Sequence, residues 1–357
     1  MKIIVRFCLL SALMALAACS SSDPTGFDGK AAAPEIPCSQ RSDPRLQEMN
    51  DIGIRLTSSV GLASGRFALP DNPAPTQLVV FFHGHGNDSC SFRRHLQKIT
   101  ARGAVAVAMD YTGQREEPVE NYGWFVRAGA ADSIAAAQYF LKQYPSVTQV
   151  FAMGISMGAN MSGFAMASAD AVRADGSPLF DYWVAVEGVH NLTEEYLIAR
   201  AIAPVNAGGA LAVQEIEEEN GGALEAVPER YQEITNVARV QDMTGLKGVV
   251  LVHAVDDGLV PYGQSQEMFA ALVAAQVPAE LFTVLLNGGA ESGTTATGIP
   301  LGPIFGGAGM PYESAFAGHG WEGSDTHLVI GTGFTQLFGL MDGGTVSAGG
   351  QSVVGGN

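Results

Sequence analysis

The residues Gly154-Ile155-Ser156-Met157-Gly158 have the types and the spacing of a turn that presents a nucleophilic serine. An apolar run at 150–153 precedes this G-x-S-x-G segment, and residues 159–167, rich in small side chains, follow it. The pattern predicts a buried strand, a sharp turn and a helix packed closely against a sheet. Such a turn lifts the serine hydroxyl above the sheet, over the positive end of the helix dipole. Ser156 is therefore the candidate nucleophile.

A nucleophilic serine needs a base that takes its proton, and the base needs an acid that orients it. These partners are expected later in the chain, the acid before the histidine, at the carboxyl ends of strands. Asp256 and Asp257 end one apolar run, and Glu187 ends the apolar run before it. Among the seven histidines, the position in the chain leaves His319 and His327 as candidate bases.

These segments resemble parts of the α/β-hydrolase superfamily. Residues 252–261 are similar to its strand followed by D-x-x-V-P, which implies Asp257 as the triad acid and Asp256 as a turn residue. Residues 317–323 resemble the glycine-histidine-x-tryptophan segment of feruloyl-esterase-like and polyhydroxybutyrate-depolymerase-like hydrolases. They are also similar to the G-H-G-x segment of prolyl-oligopeptidase-like enzymes. Both resemblances imply His319 as the base.

The developing oxyanion needs two backbone donors, and the residue after the nucleophile, Met157, is expected to supply one. The second is expected from the loop 83–87, which resembles the H-G-x-G oxyanion loop of the superfamily. The N–H of His85 is the first choice in that loop and the N–H of Gly86 the second.

A metal site is the alternative reading of the same loop, because His83, His85 and Asp88 could converge on zinc. No further strong ligand lies nearby in the sequence, and an oxyanion loop explains the glycines better. The sequence therefore predicts neither a metal nor an organic cofactor.

Apolar strands and helices alternate along most of the chain. Strands are predicted at 77–82, 104–109, 150–153, 182–186, 249–254 and 280–286, with helices at 91–102, 126–144 and 263–275. Continuous apolar strands separated by helices indicate an α/β fold with a mostly parallel sheet covered on both faces. Residues 53–70 are expected to add one or two antiparallel edge strands. The resemblance covers about residues 60–341 and implies the α/β-hydrolase fold.

The predicted hydrolase domain, 51–341, contains two segments that interrupt this alternation. Residues 191–245 start with a capping-box-like Asn-Leu-Thr-Glu and carry an acidic run at 215–219. They form either a helical cap over the active site or a solvated insertion. Residues 287–317 are a long loop rich in Gly, Thr and Pro. A flexible tail is predicted at 342–357.

The N-terminus has the pattern of a signal peptide. Lys2 and Arg6 precede a short apolar stretch within residues 1–18, and Leu-Ala-Ala-Cys19 resembles the lipobox of bacterial lipoproteins. The resemblance implies lipidation of Cys19, with residues 19–50 as the anchored tether. The expected location is the bacterial cell envelope, with the lipid in the outer membrane and the protein on its periplasmic or outer surface.

Cys38 and Cys90 are the cysteines that remain once the signal peptide and the lipidated residue are set aside. Disulfides persist outside the cytoplasm, so these two are predicted to pair.

The chain has a formal net charge of −17, which becomes about −19 if residues 1–18 are removed. Such a surface repels polyanions, so the composition argues against a nucleic-acid partner.

The sequence thus predicts a serine hydrolase, first of all a carboxylesterase acting on a small or polymeric ester. The alternatives are a depolymerase of polyester or feruloylated polysaccharide, a serine peptidase, and an inactive binding lipoprotein. The chain offers no room for the propeller domain of prolyl-oligopeptidase-like peptidases, which favours ester chemistry. Tyr111, Trp124 and Trp321 are expected either to line the substrate pocket or to belong to the core.

Overall fold

A parallel β-sheet forms the centre of the computed structural model, which describes residues 52–111, 123–285, 319–320 and 327–355. The strands in this part of the chain are β1 (Ile52–Ser58), β2 (Gly61–Ala68), β3 (Gln77–Phe82), β4 (Val105–Met109), β5 (Gln149–Ile155), β6 (Tyr182–Val186), β7 (Gly248–Ala254), β8 (Ala279–Leu285) and β9 (Gly350–Gly355). Their order across the sheet is β1-β2-β4-β3-β5-β6-β7-β8-β9. The hairpin β1–β2 is antiparallel, as expected for residues 53–70, and β3 to β9 run parallel.

Helices cover both faces of the sheet. The helices in the described residues are α1 (Arg93–Thr100), α2 (Val126–Gln143), α3 (Met157–Met166), α4 (Leu192–Ile202), α5 (Ala207–Asn220), α6 (Pro228–Glu233), α7 (Tyr262–Ala274) and α8 (Leu328–Met341). On one face, side chains of α2, α3 and α7 pack with the cap helices into one apolar cluster. On the other face, α1 and α8 form a second cluster around Phe81, Phe92 and Phe334. Burial on both faces explains why the central strands are apolar without polar alternation.

The predicted α/β-hydrolase fold is confirmed, and most element boundaries agree with the prediction. The strands at 77–82 and 182–186 have the predicted limits, and the strand that leads into the serine turn extends further, to Ile155.

The insertion at 191–245 is a helical cap, made of α4, α5, α6 and a 3₁₀ turn at Val237–Asp242. Asn191 caps α4 by accepting a hydrogen bond from the Glu194 N–H at 3.3 Å. The rings of Tyr196 and Tyr231 are fully buried between the cap helices, with centroids 5.1 Å apart. A solvated insertion would lack this apolar centre, so of the two readings of this segment the cap is correct.

The prediction of a flexible tail at 342–357 is wrong. Residues 350–355 form β9, which pairs in parallel with β8 from Glu280 to Leu285. Gly343 and Gly349 have φ values of 96° and 74°, so these glycines make the turns between α8 and β9. Val354 packs against the second apolar cluster. Glycine-rich composition here reflects turns around an edge strand, and the domain extends beyond residue 341.

Several predictions concern residues outside the described part of the chain, namely the signal peptide at 1–18, the tether at 19–50, and the loop at 287–317. Among the described helices, none is long and apolar enough to cross a membrane.

Candidate active site

Ser156 stands at the junction of β5 and α3, in the sharp turn that the sequence predicts. Its backbone has φ 56° and ψ −124°, a region that a residue with a side chain adopts only under strain. Hydrogen bonds hold this conformation, because the Ser156 N–H donates to the Val186 carbonyl and the Val189 N–H donates to the Ser156 carbonyl. The side chain is partly exposed, whereas its neighbours Ile155 and Met157 are buried.

The two glycines that flank Ser156 allow this turn to lie close to the sheet. A Cβ atom at Gly154 would overlap the Gly158 carbonyl, and one at Gly158 would overlap the Phe82 carbonyl at the end of β3. The G-x-S-x-G spacing therefore has a steric cause in this structure.

Replacing Gly158 with alanine is expected to lower the free energy of unfolding by about 3 kcal/mol, because backbone must move to admit the methyl group. Chemical denaturation followed by circular dichroism measures the change. Gly331→Ala is the matched control, since a Cβ there meets nothing within 4 Å, and it should be neutral or stabilise by up to about 1 kcal/mol. Equal stability of both variants would contradict the steric argument.

His319 and Asp257 are in direct contact. The His319 Nδ1–H donates to Asp257 Oδ2 at 2.7 Å, and both side chains are buried. Asp257 Oδ1 in turn accepts the backbone N–H groups of Leu259 and Val260 at 2.8 and 2.9 Å. These two bonds explain the D-x-x-V spacing, because the carboxylate closes the turn that follows β7. Asp256 is exposed.

Glu187 supplies a second buried carboxylate at the same imidazole. Its Oε2 lies 3.6 Å from His319 Nδ1 and accepts the backbone N–H of Gly320. Glu187 follows β6 directly with a φ of 49°. The structure thus brings together both carboxylates that the sequence offered, with Asp257 in hydrogen-bonding contact and Glu187 further away.

The charges around His319 set its ionisation. Burial lowers the pKa of His319, but the carboxylates of Asp257 and Glu187 outweigh burial and raise the pKa to about 9. Burial alone would raise the pKa of Asp257, yet the charge of His319 and hydrogen bonds from His253 and His319 hold that pKa well below its usual range. The free site therefore carries an imidazolium paired with a carboxylate at neutral pH.

Activity is expected to rise with pH, because only the neutral imidazole can take a proton from Ser156. With a His319 pKa of about 9, kcat/KM should increase about tenfold per pH unit between pH 6 and 8 and level off above pH 9. Hydrolysis of an uncharged alkyl ester in a pH-stat measures this profile. Glu187→Gln should move the midpoint to lower pH, since it removes one of the charges that raise the pKa.

Folding stability should change in the opposite direction over the same range. The folded pKa of His319 exceeds its ordinary value of 6.5, so its contribution to stability is complete below pH 6.5 and is lost as pH rises through about 9.

A profile of kcat/KM that is flat from pH 6 to 9 would contradict this assignment of charges.

A pocket of about 380 Å³ opens beside Ser156 and His319. Its wall consists of the loop after β3, Trp124 from the segment that precedes α2, the cap helices and the turn after β7. Side chains in this wall include His85, Trp124, Glu195, Ile202, Leu211 and Val260. The cap therefore lies over the candidate nucleophile and shapes the space in which a substrate would bind.

Glu195 of α4 is a buried acid in this wall. Its Oε2 accepts a hydrogen bond from the Gln264 side chain at 3.2 Å. Burial, with the neighbouring charge of Asp257, raises the pKa of Glu195 to about 8. At neutral pH this side chain is therefore mostly protonated.

The loop 83–87 is held by its own contacts and by Tyr111. The Tyr111 hydroxyl donates to the His83 carbonyl at 3.0 Å, and the two rings stack with centroids 3.9 Å apart. The Asn87 N–H donates to the Gly84 carbonyl at 3.3 Å, and Gly86 has a φ of 73°. His85 and Gly86, the two candidate donors of this loop, both line the pocket with Ser156.

The side chains of His83, His85 and Asp88 do not form one of the groups of nearby ligand atoms found in the described residues. Within the described residues, the cluster that could hold an ion is formed by Glu187, Asp257 and His319. His85 instead contacts Glu215 of the cap, at 2.7 Å between Nε2 and Oε2.

The remaining sequence candidates take different places. Trp124 lines the pocket, and its indole N–H donates to Asn160 at 3.3 Å. Tyr111 belongs to the core, and Trp321 lies outside the described residues. His327, the other candidate base, is the residue before α8, and burial together with the charge of His319 lowers its pKa to about 4. His253 is a buried strand residue whose ring contacts the Ser265 hydroxyl, the Val260 carbonyl and, at 3.2 Å, Asp257 Oδ2.

Sequence reasoning did not find Glu195 and Glu215 as residues around the site. Both lie in the cap: Glu195 directly follows the capping-box-like start, and Glu215 belongs to the acidic run. Neither feature shows the direction in which the side chain points.

Cys90 lies in the short 3₁₀ turn Ser89–Phe92 that precedes α1. Its predicted partner, Cys38, lies outside the described residues, so the pairing of these two cysteines stays a prediction.

Comparison with known proteins identifies the family to which these features belong. The sequence profile described as the prolyl oligopeptidase family matches residues 90–288, more than half of the chain. No curated protein matches the sequence.

Solved structures similar to this chain include peptidases and an esterase. The acylaminoacyl peptidase of Pyrococcus horikoshii aligns with a TM-score of 0.51 and 16% identity, covering 68% of this chain and 38% of that one. A puromycin hydrolase aligns with a TM-score of 0.51 and 15% identity, covering 69% and 37%. An esterase of Pyrobaculum calidifontis aligns with a TM-score of 0.49 and 18% identity, covering 68% and 78%. At these identities the likeness to the acylaminoacyl peptidase and the puromycin hydrolase shows the fold alone, and the chain spans less than two fifths of these two enzymes.

Proposed function

This chain belongs to the prolyl oligopeptidase family of serine hydrolases, and from that premise we propose that it hydrolyses carboxylic esters through an acyl-enzyme on Ser156. One observation carries the proposal. A serine in a strained strand–helix turn shares a pocket with a histidine that donates to a buried aspartate at 2.7 Å. That is the arrangement of a nucleophile, its base and the acid that orients the base.

In the proposed mechanism, Ser156 attacks the ester carbonyl while His319 takes the hydroxyl proton. Asp257 holds the imidazole by its Nδ1–H and stabilises the imidazolium as it forms. The backbone N–H groups of Met157 and His85 donate to the oxyanion. His319 then returns the proton to the leaving alcohol. Water hydrolyses the acyl-enzyme by the same steps, with His319 again as the base.

The pocket wall favours an ester over a peptide. Ile202 and Leu211 of the cap and Val260 of the β7 turn offer apolar surface for an acyl group. The polar side chains of the wall, Asn87, Glu195 and Asn206, lie among these apolar residues, and each peptide N–H or C=O group that does not reach one of them would cost free energy. An ester has no N–H group to satisfy. Small esters with an apolar acyl group are therefore the proposed substrates.

A substrate panel tests the proposal. Wild-type protein should react with a fluorophosphonate probe and hydrolyse p-nitrophenyl butyrate, while release of p-nitroaniline from amino-acid p-nitroanilides should stay at the rate without enzyme. Turnover of the anilides above that rate would make the protein a peptidase, and release of soluble products from polymer films would make it a depolymerase. Absence of fluorophosphonate labelling would indicate an inactive binding protein.

The peptidase is the second candidate, and the observation that favours it is the family itself. The solved relatives named above include an acylaminoacyl peptidase. An acylated amino-acid anilide in the panel tests that specificity directly.

For the location, we propose attachment to the bacterial envelope through lipid on Cys19, on the strength of the lipobox-like segment alone. Cys19→Ser should move the protein from the membrane fraction to the soluble fraction. A Cys19→Ser variant that stays in the membrane fraction would contradict this proposal.

A further inference from the structure

The acidic run of the cap does not form a solvated face. On α5, Glu215 contacts His85 at 2.7 Å, and Glu219 contacts the Arg127 guanidinium at 3.1 Å. Residues four apart lie on one face of a helix, and two carboxylates at that spacing repel each other. The basic partners on the catalytic domain offset this repulsion, so that one face of α5 is docked over the pocket.

Glu215 is the buried member of this face. Its side chain is 6% exposed, against 22% for His85. A carboxylate at this depth is tolerated only with a good partner, because its desolvation is costly. The backbone of Gly123 packs against the same carboxyl group, since a Cβ atom there would approach Glu215 Cδ and Oε1 to 3.0 Å.

The partner of Glu215 belongs to the loop that faces Ser156. The His83 carbonyl accepts from Tyr111, and the His85 carbonyl accepts from the Asn87 side chain at 3.2 Å. Those contacts fix the backbone on both sides of the peptide group that joins Gly84 to His85. The Gly84 carbonyl of that peptide group accepts the Asn87 N–H at 3.3 Å and lies 3.0 Å from His83 Nδ1. These contacts lie within the loop, whereas the bond from the His85 imidazole to Glu215 ties the loop to α5 of the cap.

We propose that Glu215 is a positioning residue for the oxyanion site. By holding the His85 imidazole from the cap, it fixes the loop whose His85 N–H donates to the substrate oxygen. This inference rests on the proposed serine hydrolase function. It makes the cap part of the catalytic apparatus, because a cap that is displaced would release the loop. Backbone donors act through their placement, so a loop that is free to move loses much of its electrostatic effect in the transition state.

The test compares Glu215→Ala, Glu215→Gln and the control Glu217→Gln. Glu217 lies on the same helix but bonds the Tyr196 hydroxyl within the cap, at 2.6 Å. Glu215→Ala should lower kcat for a p-nitrophenyl ester about 10- to 100-fold and weaken a boronic acid inhibitor by a similar factor, with KM changed by less than about threefold. Glu215→Gln should retain most of the activity, since its amide oxygen still accepts the His85 proton. Glu217→Gln should behave as wild type.

A double-mutant cycle tests whether the loss of kcat in Glu215→Ala comes from the broken contact with His85 or from a less stable protein. If Glu215 acts through the imidazole, Glu215→Ala should cause no further loss of kcat in a His85→Ala background. Should Glu215→Ala fail to fold, His85→Ala alone breaks the same contact from the other side. Full kcat in either single variant, or additive losses in the double variant, would overturn the inference. Fluorophosphonate labelling of the wild type decides the proposed function separately.

Discussion

Replacing Ser156 with alanine is expected to abolish ester hydrolysis, with a fall in kcat of about 10⁵-fold or more. The structure gives the physical reason. Ser156 is the partly exposed side chain at the apex of the strained turn, and it shares the pocket with the buried His319–Asp257 pair. Alanine removes the nucleophilic oxygen and keeps the turn, since the flanking glycines are unchanged. Active-site titration with a fluorophosphonate, together with kcat for p-nitrophenyl butyrate, measures the loss.

Ser168→Ala is the matched control for this variant. The Ser168 hydroxyl accepts only a local, exposed hydrogen bond from the Asp170 N–H among the contacts described. That variant should keep wild-type labelling and turnover. Labelling that persists in Ser156→Ala would place the nucleophile elsewhere, and the proposed function would have to be abandoned. Thermal unfolding of both variants shows whether any loss of activity comes from the site or from the fold.

Much of this fold could be predicted because the central strands are buried on both faces. The run 182–186 and, after Gln77, the run 78–82 contain only apolar or weakly polar side chains, so their limits are visible in the sequence. The tail is the opposite case. Strand β9 reads Gly-Gln-Ser-Val-Val-Gly, and four of its six residues are exposed at the edge of the sheet. What orders it is backbone pairing with β8, which leaves little trace in the side chains.

The candidate triad was accessible to sequence reasoning because each member lies in a local motif with a structural cause. The D-x-x-V spacing, for instance, reflects the two N–H groups that bond Asp257. The contact between His85 and Glu215 joins residues 130 positions apart, and nothing near either residue specifies the other. The acidic run showed that charge was present on the cap, but the direction of each side chain depends on how α5 docks.

Asp257→Asn is expected to cause the second largest loss, a fall in kcat of about 10³- to 10⁴-fold. The carboxamide cannot stabilise the imidazolium, and its NH₂ group favours the wrong imidazole tautomer. Glu187→Gln should lower kcat by about tenfold at most, because the Glu187 carboxylate is 3.6 Å from His319 Nδ1 and Asp257 is at 2.7 Å. Steady-state kinetics at the pH of maximal activity give both values.

The comparison of these two variants decides which acid acts. Both carboxylates are buried against one imidazole, and both raise its pKa. They differ in what else they bond. Asp257 accepts the His319 Nδ1–H, whereas Glu187 accepts the backbone N–H of Gly320 and thereby anchors the residue next to the base. Removing the charge of Glu187 should therefore alter the pH profile more than the rate at its plateau. The reverse order, a large loss in Glu187→Gln with Asp257→Asn nearly as active as wild type, would transfer the role of the triad acid from the turn after β7 to the end of β6.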